Sequence, residues 1–128
     1  MSDTRARLPV QRLAAFSSGE TGGNPAGVVL AETLPDAATM QAIAAEVGFS
    51  ETVFAAPRGK ASGEAFRVRY FSPEEEIPFC GHATIALGAA LAKAHGNGVF
   101  ALQLNAAAIT VEGRASSGRG GDGWRQPR

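Results

Sequence analysis

The 128-residue sequence predicts an α+β fold in which a curved, mostly antiparallel sheet wraps around a central apolar helix. Three observations carry this. The stretch from His82 to Ala94 has helical length and no charge before Lys93, and a helix that is apolar all round is buried rather than surface-lying. Residues 65–71, Ala-Phe-Arg-Val-Arg-Tyr-Phe, alternate with the period of a strand, with Phe66, Val68 and Tyr70 on one face and Arg67 and Arg69 on the other. Further short apolar runs flank both, and a sheet curled around the helix is the simplest way to hide it.

In chain order, residues 8–16 read as a first strand carrying Val10, Leu13 and Phe16. Residues 17–25 form a Ser/Gly/Thr/Asn-rich loop ending in Asn24-Pro25, read as turn chemistry. Residues 26–30 form a second strand. A helix follows, capped by Asp36, with Met40, Ile43, Ala44 and Val47 on one face and Gly48 placed for a left-handed end. Glu51 then lies between that helix end and the strand of residues 52–56. Residues 57–64 read as a hairpin-like loop, Ser72-Pro73 stops the alternating strand, and Glu74-Glu75-Glu76 reads as a solvated acidic loop. Ala83, Ala86, Gly88, Ala89 and Ala90 on the apolar helix let strands approach it closely. Gly96-Asn97-Gly98 ends it, and residues 99–104 and 108–111 add two strands. From residue 114 the chain turns to glycine and arginine with Trp124 as its one large apolar residue, a composition that predicts a disordered tail over 114–128.

Basic and acidic residues balance at 12 each, which speaks against nucleic acid or an anionic membrane as the main partner. The balance is uneven along the chain, with net −3 over residues 1–113 and net +3 over 114–128. Cys80 is the sole cysteine, so no internal disulfide can form, and no Cys/His spacing of a metal site is present. With no secretory segment and no apolar run long enough to span a bilayer, the expected setting is the reducing cytoplasm.

Two places can carry chemistry. At Cys80-Gly81-His82-Ala83-Thr84 the apolar helix begins, and a helix start offers free N–H groups and a positive dipole end to a carboxylate or phosphate. Gly81 would admit a ligand against the backbone; equally, Gly81 is a tight turn and His82 a satisfied cap. Cys80 is either a thiol activated by the helix start or a buried filler. At Ser50-Glu51-Thr52, a carboxylate set against apolar strand residues can be desolvated toward acid–base use, or stand as an ordinary exposed loop glutamate. Gly22-Gly23 lacks the strand–loop–helix context of a phosphate loop.

Gly23-Asn24-Pro25-Ala26-Gly27-Val28-Val29-Leu30, Met40-Gln41-Ala42-Ile43-Ala44, Ser50-Glu51-Thr52-Val53-Phe54, Tyr70-Phe71-Ser72-Pro73 and the run from Glu76 to Ala86, in that order, resemble the phenazine-biosynthesis (PhzF-like) isomerase family. The resemblance covers about residues 10 to 112. It implies a diaminopimelate-epimerase-like fold of two similar halves with the active site between them, so that residues 1–113 are an N-terminal half-domain. It also implies that Glu51 shuttles a proton in an isomerisation without metal or organic cofactor, while Ser50, Gly81 and His82 contact the substrate. Related epimerases place a catalytic cysteine just before a glycine at this helix start, which makes a thiol-dependent racemase using Cys80 the alternative.

Family members are considerably longer, so the expected chain is a truncated or frameshifted product, weakly active or inactive alone. The expected substrate is a small molecule bearing a carboxylate. Apolar surface exposed on a lone half implies self-association into a homo-oligomer such as a dimer, and a non-catalytic half-domain that dimerises or binds ligand is the third reading.

Overall fold

The computed structural model describes residues 9–15, 24–58 and 65–114. The tail beyond residue 114, most of the 17–25 loop and residues 59–64 lie outside them. Among the described residues, seven strands and two helices follow in order: β1 (Gln11–Ala15), β2 (Asn24–Leu30), α1 (Ala37–Val47), β3 (Thr52–Pro57), β4 (Ala65–Phe71), β5 (Glu76–Ile77), α2 (Gly81–His95), β6 (Gly98–Gln103) and β7 (Ala108–Gly113). The sheet runs β1-β2-β3-β4-β6-β7, with β5 paired to β4. The β2–β3 and β4–β6 pairs are parallel and the others antiparallel. Each parallel pair is bridged by a helix, as parallel neighbours require: α1 joins β2 to β3, and α2 lies between β4 and β6.

The two helices occupy opposite faces because strand side chains alternate. Val28, Val53, Ala55, Phe66, Val68, Tyr70, Phe100 and Leu102 point inward to Ala83, Ala86, Leu87, Ala90 and Leu91 of α2. Val29, Phe54 and Phe71 point outward to Met40, Ile43 and Ala44 of α1. Helix α2 packs against both β1 and β7, the two ends of the sheet order. Only a curled sheet allows that. The expected architecture is therefore the observed one, and four of its six strand pairings are antiparallel.

Helix α1 has the expected ends. The Asp36 carboxylate accepts from the Thr39 N–H at 2.8 Å, and Gly48 takes a left-handed φ of 78° while its N–H donates to the Ala44 carbonyl. Three features differ from expectation. Asn24 and Pro25 belong to β2, opposite Ala15 and Ala14, rather than to a turn. Pairing with β3 begins only at Gly27, so the N–H that proline lacks is not needed on that side. Helix α2 is not covered all round, since Ile85 is 50% exposed where the sheet leaves one stripe open.

Glu76, the third difference, is no solvated loop residue. Arg69 Nε and Nη2 donate to its two carboxylate oxygens at 2.9 and 2.7 Å, and Asn105 Nδ2 donates at 2.7 Å. Arg67, on the same outer face of β4, donates to the Gln103 carbonyl at 3.1 Å. This polar network ties β5 and the β6–β7 turn to β4, while Glu74 and Glu75 remain exposed.

Helix α2 and β7 approach closely, backbone to backbone, at Gly88 and Gly113. A Cβ added at Gly113 would run into the Gly88 backbone and come within 3.1 Å of Phe100. Small residues on the helix let the strand in, as their spacing predicts. Gly113→Ala is expected to cost about 2 kcal/mol or more, the range of core overpacking. Urea unfolding measures it, with Gly81→Ala as the control, because a Cβ at Gly81 meets nothing within 4 Å.

The Glu76 carboxyl is held below its ordinary value of 4.5, first by the Arg69 hydrogen bonds. A lowered carboxylate contributes stability that is present above the ordinary value and lost as the pH falls through the folded one. The wild-type unfolding midpoint should therefore drop between about pH 5 and pH 3 by more than that of Glu76→Gln. The pair contributes roughly 0.5–1 kcal/mol at neutral pH, given its partial exposure.

Candidate functional site

The strand order brings the ends of two crossovers together. The chain leaves α1 at Gly48, passes half-buried Phe49 and exposed Ser50, and reaches Glu51 one residue before β3. The Glu51 carbonyl accepts from the Gly27 N–H at 3.0 Å, which fixes this point against β2. Thr52 points outward toward Gly27 and Val47. By strand alternation Glu51 turns the other way, toward the inner face where α2 begins.

At that beginning stands Cys80, in extended conformation as the residue that starts α2. Its thiol is pushed above its ordinary value. Burial is the main cause; the N–H of Ala83 opposes it, the Glu51 charge adds to it, and the N–H of His82 opposes it more weakly. Hydrogen bonding with the Glu51 side chain is the smallest of these influences and also pushes the thiol up. The N–H groups of His82 and Ala83 act on the sulfur, and no side-chain capping bond forms at this helix start.

Sequence reasoning thus names two places and the structure makes them one: Glu51 and Cys80 meet at the α2 N-terminus. Gly81 is exposed and open, and His82 is half-buried beside it. Ser50 is adjacent to Glu51 in sequence and exposed. Among the described residues no group of three His, Cys, Asp or Glu side chains gathers as metal ligands would.

Two residues named in the sequence reading are given no role in the site there. Tyr70 is 1% and Thr84 7% exposed, and their hydroxyl oxygens lie 2.6 Å apart. The Thr84 hydroxyl donates to the Cys80 carbonyl at 2.8 Å, and its single proton is thereby used. Tyr70 must then be the donor to Thr84. The signal was present: a tyrosine on the buried face of a strand needs a hydroxyl partner, and Thr84 sits four residues after Cys80 in an otherwise apolar helix.

An α+β half-barrel curled around a central helix defines a class, that of the epimerase-like folds. A predicted epimerase from Pseudomonas aeruginosa superposes on the chain with a TM-score of 0.73 at 29% identity, over 84% of this chain and 39% of the other. A phenazine biosynthesis protein of the PhzF family from Enterococcus faecalis gives 0.70 at 31% identity, over 84% and 40%. Residues 13–123 match the family model described as phenazine biosynthesis-like protein. The chain belongs to that family.

Among relatives, an uncharacterized isomerase of Deinococcus radiodurans is 46% identical over 82 residues, which is 64% of this chain and 26% of that protein. The phenazine biosynthesis-like domain-containing protein 2 of Mus musculus is 35% identical over 121 residues, or 91% and 41%. The chain thus spans between a quarter and about two-fifths of the length of these relatives. No described helix is long and apolar enough to cross a membrane.

Because Glu51 acts on Cys80 through its charge, the neutral variant Glu51→Gln should lower the pH at which the Cys80 thiolate forms. The pH profile of alkylation by iodoacetamide reads this directly, since the chain has no other thiol.

Proposed function

We propose that the chain carries one wall of an isomerase site, in which Glu51 moves a proton within a small carboxylate-bearing substrate. The convergence of Glu51 with the open start of α2 supports this reading more than any other observation. The exposed N-terminus and the dipole of a 15-residue helix favour an anion at Gly81 and His82. A substrate carboxylate seated there brings its α-carbon near Glu51, and Ser50 stands next in line to contact it. The names of the relatives, isomerases and an epimerase, agree with proton transfer. Neither the reaction nor the residue roles require a metal or organic cofactor, since a carboxylate with matched protonation suffices for general acid–base catalysis.

The thiol reading, in which Cys80 takes the proton, is weakened by the same geometry. Burial and the Glu51 charge both hold the thiol protonated, whereas a racemase base needs thiolate. A non-catalytic half-domain that associates or binds ligand draws support from Phe79 and Ile85, each 50% exposed beside the site.

Proton exchange separates the three. The chain is incubated in deuterium oxide with a panel of small 2-amino and 2-hydroxy carboxylates, and loss of the α-proton signal is followed by NMR. Exchange is expected to be slow and to fall about 100-fold or more in Glu51→Gln, the usual size of an acid–base contribution. Gly81→Ala should keep the fold and weaken binding. Unchanged exchange in Glu51→Gln would overturn the Glu51 role, and loss on alkylating Cys80 with Glu51→Gln tolerated would favour the thiol. Binding without exchange, together with a dimer in sedimentation, would favour the non-catalytic reading.

A further inference from the structure

We propose that Tyr70 and Thr84 are positioning residues for the site, their two hydroxyls forming a directed wire that ends on the Cys80 carbonyl and fixes how the first turn of α2 faces Glu51. The proposal deepens the Glu51 reading and rests on it for its functional meaning, but its geometry stands on the hydrogen bonds alone. Tyr70 O–H donates to Thr84 Oγ1, and Thr84 Oγ1–H donates to the Cys80 carbonyl, which also accepts the Thr84 N–H at 3.0 Å. One carbonyl is thus held by two donors from a single residue, and that residue is held by a strand. The tyrosine ring fixes the other side of Cys80 as well. Its edge meets Phe79 at 5.7 Å between centroids, and Tyr70 pairs with Ile77 of β5.

Residues on both sides of Cys80 are therefore bolted to one position of β4. A chain held at Phe79 and at the Cys80 carbonyl has little freedom to rotate its thiol or its following N–H groups. Two buried hydroxyls at a helix start are an expensive way to pack a core, since each must keep its partner. Leucine or phenylalanine would fill the same space without that demand. What the hydroxyls add is direction: donor and acceptor order admits one arrangement of Tyr70, Thr84 and Cys80, where apolar packing admits several.

Titration of Cys80 reports the aim of the turn without any substrate. Among the described residues, Glu51 from the start of β3 and Tyr70 from β4 are the titratable groups that act on it. If the wire is cut, the turn loosens, the sulfur gains water, and its ionisation moves back toward that of an ordinary thiol. In the full chain, Tyr70→Phe and Thr84→Val should each lower the alkylation midpoint of Cys80 by on the order of half a pH unit and raise the rate near neutrality about threefold. Thr84→Ser, which keeps the hydroxyl, should restore the wild-type profile. The double variant Tyr70→Phe/Thr84→Val removes both polar partners, so it should unfold close to wild type yet retain the lowered midpoint. That separates positioning from stability, and it covers the case where a single variant leaves an orphan hydroxyl and folds poorly.

Unaltered midpoints in the double variant would overturn the proposal, as would a Thr84→Ser profile matching Thr84→Val. The outcome is independent of the Glu51 role. A wire confirmed by alkylation alongside unchanged exchange in Glu51→Gln would leave the positioning intact and remove the proton-transfer reading. The reverse result would remove the wire alone.

Discussion

Burial of α2 inside the curled sheet is the constraint on which everything else depends. A helix nearly without charge has to be enclosed, and a single sheet encloses it only by bending until both of its ends reach it. The bend is possible because the helix is thin where β7 passes, with Gly88 and Gly113 standing backbone to backbone. Strand alternation then assigns every side chain. Inward residues of β2, β3, β4 and β6 meet α2, and outward residues of β2, β3 and β4 meet α1. The position of Glu51 follows from this assignment, because one residue before β3, on the inner side, faces the enclosed helix.

The electrostatics of the site grow out of the same burial. The α2 N-terminus is half enclosed, so its thiol is disfavoured as an anion even though the N–H groups of His82 and Ala83 act to favour one. A carboxylate and an anion-binding helix end would compete for the same charge if they were collinear. Here the carboxylate comes from a different crossover and meets the helix end from the side of the thiol. That leaves Gly81 open for a second negative group. Two separate positions, one to hold and one to act, are what the proposed proton transfer on a bound acid requires.

Local chemistry made much of this legible. Asp36 and Gly48 announce the ends of α1, the period-2 pattern of residues 65–71 announces β4, and the uncharged run announces an enclosed helix. These signals lie within a few residues of the features they specify. What escaped depends on residues far apart in the chain. Glu76 looked like one of three solvated glutamates until Arg69 and Asn105 closed around it from two other elements. Asn24-Pro25 had the letters of a turn, but their role was decided by β3, which starts pairing only at Gly27. The meeting of Glu51 with Cys80 is likewise a matter of strand order. Composition names both residues as candidates, and only topology makes them neighbours.

The contact of α2 with β1 at one end of the sheet and β7 at the other has a consequence for how the protein is made. During synthesis β1, β2 and β3 leave the ribosome before α2 exists, so the face that α2 will cover is without its partner. The far wall, β6 and β7, comes later still. Nothing in the inner core can therefore be completed until nearly the whole domain has emerged, and closure around the helix is a late, concerted event. Exposed apolar strands waiting for a late helix are the condition under which nascent chains aggregate or recruit chaperones. The outer layer, α1 against β2, β3 and β4, is complete before α2 emerges and gives the waiting strands a scaffold on one side.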